Sequence, residues 1–146
     1  MKIYLGADHA GFLMKEKIKK NLVNKKYDIV DLSPFFKERD DYPKVAFKVG
    51  EEVSKDRGSS GILICGSGAG MCISANKVKG IRASVIYDKY SAEMSKEHNH
   101  SNIACLRARK SNLKDNLKFI EIWLKTKEDK GGRHRRRVGQ IGNYEG

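Results

Sequence analysis

The stretch ILICGSGAG, residues 62–70, decides the fold of this chain. Its first half is an aliphatic run typical of a buried strand, and it leads through Cys65 directly into a turn with glycine at every second position. Because glycine has no Cβ, the backbone of this turn can approach a ligand closely. Successive N–H groups in such a turn, next to a helix N-terminus, form a concave site for negative charge. The stretch therefore predicts a strand, an anion-binding turn beside a thiol, and a helix that opens near Met71.

Apolar runs and helical patterns alternate along the rest of the chain. Strands are predicted at about 2–7, 27–32, 61–65, 81–87 and 102–106, and helices at about 10–25, 42–55, 71–79, 91–98 and 113–125. Short connections between such elements imply a five-stranded parallel sheet with helices on both faces, a three-layer, Rossmann-like α/β fold. Residues 1–146 are predicted to be a single domain, of which 126–146 form an extended basic tail.

Composition narrows the class of protein. The chain has 146 residues, enough for one domain with a single core. No stretch approaches the roughly 20 apolar residues that a membrane-spanning helix needs, and the first residues do not form a signal-peptide pattern. The three cysteines are odd in number and have no CxxC spacing, which favours reduced thiols over disulfides. A cytoplasmic protein is predicted.

The net charge of +12 has two interpretations. Clustered lysines and arginines neutralise phosphates, as in nucleic-acid binding. Most of the lysines, however, are scattered over predicted helices, as on a solvated surface. Only residues 133–137, RHRRR, concentrate charge. This segment could be an RNA-binding arm, a solvated tail or a phosphate clamp, and composition does not choose among the three.

The glycine turn fits a small oxyanion better than a nucleotide. Its spacing is GxGxG and not the GxGxxG of dinucleotide-binding folds, and it follows the third strand and not the first. No Lys-Ser or Lys-Thr follows, so the phosphate-binding P-loop pattern is also missing. A tight turn without a ligand is the alternative. Cys65 could be an inert buried thiol, but its position at a strand end favours an active-site role. Asp88, which follows the fourth strand, could contact a ribose or cap a helix.

Histidines mark two further places. His98 and His100 lie two residues apart, do not share a helix face and lack the other ligands of a zinc site, so no metal site is predicted. A histidine at a helix end is most often a C-cap, although it could also be a general acid because it titrates near neutral pH. Asp8 and His9 follow the first strand, at the edge where ligands of parallel sheets bind.

Seven motifs, in this order, resemble the RpiB/LacAB family of sugar-phosphate isomerases, in particular its type B ribose-5-phosphate isomerases. The resemblance covers nearly the whole chain. The motifs are GADHAGF at 6–12, DYP at 41–43, ICGSGAG at 64–70, ANK at 75–77, GIRA at 80–83, HN at 98–99 and GGRH at 131–134.

The resemblance implies an aldose–ketose isomerase that works through a cis-enediolate without a metal or organic cofactor. The implied substrates are D-ribose 5-phosphate and D-ribulose 5-phosphate. A six-carbon sugar phosphate, such as allose or galactose 6-phosphate, is the alternative within the family. A nucleic-acid-binding module that uses the basic tail is the alternative outside it.

The resemblance also implies catalytic roles. Cys65, as thiolate, would move a proton between C2 and C1, while Ser67 positions the turn. The backbone N–H groups of residues 67–70 would bind the enediolate oxygen. His98 would open the furanose ring, assisted by His134, and Asn99 would bind the sugar.

The implied binding site is larger and is shared by two subunits. The phosphate would be held by His9, Arg133 and Arg137, and Arg109 matches an arginine that the family lends across the dimer interface. The family forms homodimers that sometimes pair into tetramers. The substrate-binding residues implied are Asp8, His9, Tyr42, Gly66, Gly68, Ala69, Gly70, Asn99, Arg109, Arg133, His134 and Arg137.

The sequence departs from the family's pattern at a few positions. His100 stands where the family usually has aspartate after the His-Asn pair, and Arg107 stands where glycine is usual. Ser67 replaces the more common threonine, and Arg135 and Arg136 add charge beside the two phosphate arginines. No departure removes a catalytic group.

Overall fold

A computed structural model describes all 146 residues as alternating strands and helices. The elements in chain order are β1 Lys2–Ala7, α1 Phe12–Asn24, β2 Asp28–Asp31, α2 Tyr42–Lys55, β3 Ser60–Cys65, α3 Ala69–Ala75, β4 Ala83–Val85, α4 Lys89–Glu97, β5 Ile103–Arg107, α5 Leu113–Lys125 and α6 Gly132–Glu145. No helix is both long and apolar enough to span a bilayer.

All five strands lie parallel in one sheet, in the order β2-β1-β3-β5-β4. The predicted α/β fold with a five-stranded parallel sheet is confirmed. The chain leaves β1 toward one edge of the sheet to form β2 and returns to form β3 on the other side of β1. Ligands of such sheets bind outside the carboxyl ends of the strands at this point of reversal. That position is occupied by the residues after β1 and β3.

Two apolar cores cover the two faces of the sheet. Alternate side chains of one strand point to opposite faces, so Ile62 and Ile64 pack on one core and Leu63 and Cys65 on the other. The first core is closed by α1, α4 and α5, and the second by α2 and α3. Trp123 of α5 is fully buried in the first core, where its Nε1 donates a hydrogen bond of 2.7 Å to Ser101 Oγ.

A buried ion pair supports the loop that follows β1. The ammonium of Lys15 is fully buried and donates to Asp31 Oδ1 at 2.9 Å, to Asp31 Oδ2 at 2.7 Å and to the Ser33 carbonyl at 2.7 Å. Ser33 Oγ in turn accepts a hydrogen bond from the Ala7 N–H at 2.9 Å. A buried charge is tolerated when its hydrogen bonds are satisfied in this way. The network fixes the end of β1, from which Asp8 and His9 follow.

The prediction of an extended tail over 126–146 was wrong from residue 132 onward, because residues 132–145 form helix α6. The glycines and the cationic run suggested an open chain. Arginine and glutamine are nevertheless good helix formers, and repulsion between like charges four residues apart costs only about 0.2–0.5 kcal/mol per pair. None of the α6 residues is buried. Its end is attached to the domain by the Gly80 N–H, which donates to Glu145 Oε2 at 3.0 Å.

The predicted fourth strand was too long, since β4 spans only Ala83–Val85. Just before β4, a side chain takes the place of a neighbouring strand: the Arg82 N–H donates to Asn102 Oδ1 at 2.8 Å. After this strand, Asp88 is the N-cap of α4, and its Oδ1 accepts from the Ser91 N–H at 2.6 Å. Of the two interpretations of Asp88, the structure supports the helix cap.

Candidate active site

Cys65 ends β3 at the carboxyl edge of the sheet, with only 4% of its surface exposed. Its carbonyl accepts from the Ala108 N–H at 2.9 Å, which fixes the strand end to the segment after β5. Its sulfur accepts a hydrogen bond from the Gly68 N–H at 3.1 Å. The thiol and the glycine turn, which the sequence placed next to each other, are therefore in direct contact.

The glycine turn keeps some of its N–H groups free. The Gly68 N–H is directed at Cys65 Sγ, and the Ala69 N–H donates to Ser67 Oγ at 3.2 Å. The N–H groups of Ser67 and Gly70 donate no hydrogen bond within the chain. Gly68 has a φ of +79°, and a Cβ at this position would lie 3.1 Å from the Leu106 carbonyl carbon. Only glycine fits there without strain.

Side chains from three other elements surround this turn. Asp8 follows β1 and is buried, and its Oδ1 accepts from the Gly11 N–H at 3.0 Å. The ring of Tyr42, at the start of α2, lies so close to Gly70 that a Cβ there would be 2.7 Å from it. The guanidinium of Arg109 lies over Gly66, with Nη1 3.1 Å from the position of a Cβ. His9 is exposed beside Asp8. We call the residues Asp8, His9, Tyr42, 65–70 and Arg109 the thiol cluster.

The other two cysteines form a separate pair behind the turn. All three cysteines are free. A hydrogen bond from the Cys105 thiol, together with those from the Val85 backbone and Asn76, lowers the pKa of Cys72 to about 7 despite its partial burial. Burial raises the pKa of the Cys105 thiol well above its usual range. Cys105 is thus a fully buried thiol, whereas Cys72 is only partly buried.

A second group of candidate residues lies at the end of α4. His98 is the C-cap of this helix, and its ring stacks on the ring of His134 from the first turn of α6. The ring centroids are 4.0 Å apart and the planes differ by 9°. A cavity of about 780 Å³ beside α6 is lined by Asn99 and Arg137 among others. We call the residues His98, Asn99, Arg133, His134 and Arg137 the histidine cluster.

The environment of His134 disfavours its protonated form. Partial desolvation of the ring lowers its pKa, and the neighbouring His98, Arg133 and Arg137 add to this effect, whereas Asp129 opposes it. Asp129 Oδ2 lies 3.9 Å from His134 Nε2. Asp129 was not among the candidates from the sequence, where it is one acid in a charged linker with no motif of its own. Only the folded position of the linker brings it to the histidines.

The two clusters lie at opposite ends of the strands, the thiol cluster at their carboxyl ends and the histidine cluster at their amino ends. Cys65 is in register with Arg107, the last residue of β5, whereas His98 precedes Ile103, the first residue of that strand. Four steps along a strand span about 13 Å. Within one chain, the structure therefore brings together the predicted residues of each cluster but does not bring the two clusters together. Arg109 lies with the thiol of its own chain.

Comparisons with known proteins agree with the motifs. Residues 3–141 match the family described as Ribose/Galactose Isomerase. A relative from Mycoplasma genitalium, named probable ribose-5-phosphate isomerase B, is 39% identical over 145 residues, which cover 98% of this chain and 95% of the relative.

Two solved structures have the same fold. The crystal structure of ribose-5-phosphate isomerase B from Mycoplasma genitalium with bound ribulose-5-phosphate superposes with a TM-score of 0.94 at 39% identity, covering 99% of this chain and 95% of that one. Ribose-5-phosphate isomerase B from Clostridium thermocellum gives a TM-score of 0.95 at 43% identity, covering 99% and 97%.

Proposed function

The chain belongs to the ribose/galactose isomerase family, and on this basis we propose that it interconverts D-ribose 5-phosphate and D-ribulose 5-phosphate. The observation that carries the proposal is the contact of Cys65 Sγ with the Gly68 N–H, next to two free N–H groups of the same turn. The relatives support the pentose over a six-carbon sugar, because the solved structure from Mycoplasma genitalium contains ribulose 5-phosphate.

The proposed chemistry is a proton transfer between neighbouring carbons. The Cys65 thiolate removes the proton from C2 of the open-chain aldose, and the electron pair moves toward the carbonyl oxygen to give a cis-enediolate. The proton of the C2 hydroxyl moves to O1 as the C2 carbonyl forms, and the thiol returns its proton to C1, which gives the ketose. The free N–H groups of Ser67 and Gly70 bind the oxygen on which negative charge develops. Ser67 Oγ holds the Ala69 N–H and so keeps the turn in place.

The opening of the furanose ring is assigned to the histidine cluster. His98 exchanges a proton with the ring oxygen and the anomeric hydroxyl, and the stacked His134 assists it. Asn99 binds the sugar hydroxyls. These groups lie at the amino ends of the strands, whereas Cys65 lies at the carboxyl ends. One chain therefore does not supply a whole site. We therefore propose a homodimer in which the thiol cluster of one subunit faces the histidine cluster of the other, with further pairing to a tetramer as in some members of the family.

The proposed phosphate site combines charges from both clusters. His9 comes from the loop after β1, and Arg133 and Arg137 come from α6, four residues apart and hence on one face of the helix. Arginine makes paired hydrogen bonds to phosphate oxygens. With α6 ordered as a helix, its arginines are presented as a fixed pair and not as a loose tail. Arg109 is positioned over Gly66 to meet the substrate beside Cys65.

The decisive experiment is an assay of ribulose 5-phosphate formation from ribose 5-phosphate, with EDTA present and allose 6-phosphate measured in parallel. We expect turnover of the pentose, with a higher kcat/KM than for the hexose. If only allose 6-phosphate were turned over, the proposed substrate would be wrong but the proposed aldose–ketose isomerisation would stand. Turnover of neither sugar would overturn the proposal, and a salt-sensitive retention of RNA would then favour the nucleic-acid alternative.

A further inference from the structure

Asp129 is fixed at both backbone groups by the end of α4. Its N–H donates to the Glu97 carbonyl at 2.9 Å, and its carbonyl accepts from His100 Nε2 at 2.7 Å. A carbonyl oxygen can only accept, so His100 Nε2 carries a proton and is the donor. Two independent contacts therefore hold this one residue of the linker between α5 and α6.

His100 adopts an unusual conformation to make its contact. It has a φ of +50° and is 9% exposed. Residues other than glycine seldom adopt positive φ, and they do so where surrounding contacts hold them. The RpiB/LacAB pattern has aspartate at this position, and a carboxylate has no N–H to donate to the Asp129 carbonyl. The contact is therefore made possible by the residue in which this chain departs from its family.

The carboxylate of Asp129 reaches the beginning of α6. Its Oδ1 accepts from the Gly131 N–H at 2.9 Å, and its Oδ2 lies 3.9 Å from Nε2 of His134. His134 is the residue whose ring stacks on His98. A continuous series of contacts thus connects His100, Asp129, His134 and His98.

We propose that Asp129 is a positioning residue, which holds His134 against His98 and is itself held by His100. The proposal rests on the ring-opening role assigned to His98 under the proposed function. In the isomerisation, Asp129 would not touch the sugar. It would fix the stacked ring and provide the negative charge that partly offsets a proton on the pair.

The charges around the pair define what a change at Asp129 would do. The linker contributes the Asp129 carboxylate, α4 contributes Glu97, whose Oε1 lies 3.7 Å from His98 Nε2, and α6 contributes Arg133 and Arg137. Two protonated rings 4.0 Å apart would repel each other, so the pair accepts one proton far more readily than two. A carboxylate close to the pair raises its affinity for that proton, and its removal must lower the affinity.

The test compares Asp129→Asn with Glu128→Gln in the full chain. Asparagine keeps the side-chain oxygen that accepts from Gly131, so this contact before α6 remains and only the charge is lost. Glu128→Gln removes the neighbouring charge, which faces Lys96 and His100 and not the stacked rings. The readouts are the NMR pH titration of the ring protons of His98 and His134, and the pH profile of kcat on ribose 5-phosphate.

In Asp129→Asn we expect the titration of the pair to move down by about half to one pH unit, the size expected for one charge near 4 Å in water. The acidic limb of the kcat profile should move by the same amount, with KM nearly unchanged. Glu128→Gln should titrate as the wild type. His100→Gln, which keeps an N–H donor, should also match the wild type, whereas His100→Ala should move the titration partway.

Titration curves that coincide in the wild type and Asp129→Asn would overturn the proposal and leave Asp129 only as a residue that anchors the linker before α6. If the titration moves as expected but the wild type does not turn over ribose 5-phosphate, the contact stands and the proposed function fails. The NMR measurement and the assay therefore separate the two failures.

Discussion

The thiol cluster and the histidine cluster are built in different ways. The thiol cluster is mostly backbone: a strand end, a turn with one left-handed glycine, and the Gly68 N–H, which donates to Cys65 Sγ. The histidine cluster is made of side chains from two helix ends and the linker between α5 and α6, joined by stacking and by contacts of Asp129. A backbone site is specified within a few consecutive residues, whereas a side-chain site depends on tertiary contacts. Substitutions should reveal this difference.

The largest effect is expected for loss of the sulfur in the thiol cluster. Cys65→Ser should lower kcat by about 10²–10⁴-fold in both directions, the range for loss of a general base. The matched control is Cys72→Ser, which removes a thiol with a pKa of about 7 that lies outside the proposed reaction. Steady-state kinetics with far-ultraviolet circular dichroism would check both variants. If Cys65→Ser turned over normally, the base would have to be sought elsewhere, and loss of activity in Cys72→Ser alone would point to that thiol.

A mixing experiment tests whether the two clusters act together across a dimer. Cys65→Ser and His98→Asn should each be nearly inactive on cyclic ribose 5-phosphate. If each site takes its thiol from one chain and its histidine from the other, a mixed dimer has one intact site. Random re-pairing of equal amounts, after mild unfolding and refolding, should then restore about a quarter of wild-type activity.

The control for this mixture is each variant refolded alone, which should remain inactive. Absence of any recovery, in a mixture shown by native mass spectrometry to contain mixed dimers, would contradict the shared site. His98→Asn alone should also lose less activity on ribulose 5-phosphate, which has no ring to open.

The smallest expected effect is on stability, and it is tested by replacing one glycine of the thiol cluster's turn and one glycine of α6. Gly68→Ala forces a side chain into a left-handed conformation and should lower the free energy of unfolding by about 1–2 kcal/mol. Gly139→Ala lies inside α6, where a Cβ would meet nothing within 4 Å, and should leave stability unchanged or raise it by up to about 1 kcal/mol. Urea unfolding followed by circular dichroism would measure both. Equal destabilisation by the two substitutions would show that the turn does not depend on its glycine.

Much of the fold could be predicted from local pattern. The aliphatic run before Cys65 and its glycine turn predicted strand, turn and helix in the order found, and the alternation of elements predicted the parallel sheet. The length of β4 could not be predicted, because side chains such as Asn102 satisfy the backbone where a longer strand was expected. Helix α6 was not predicted because glycines and neighbouring like charges are unfavourable in an isolated helix. Whether such a segment is helical depends on its tertiary contacts.

The candidate sites show the same division. Cys65, Gly68 and Ser67 could be placed because they are neighbours in sequence. His98 was singled out by its place at a helix end and His134 by the family resemblance, but their stacking follows from the position of α6 and could not be read from spacing. Asp129 had no signal at all, since its contacts involve residues 29 and 32 positions away in sequence, His100 and Glu97.

The single tryptophan gives the two clusters separate natural probes. Trp123 is fully buried, bonded to Ser101 immediately after His100, and covered by the ammonium of Lys96 at 5.2 Å from its ring. Its fluorescence will therefore report the arrangement of the chain near the histidine cluster. The thiol cluster contains no tryptophan but can be followed by the alkylation of Cys65. Emission and labelling rates, recorded on one preparation of Cys72→Ser so that the more exposed thiol does not react, would show whether the two halves of the proposed site loosen together or one before the other.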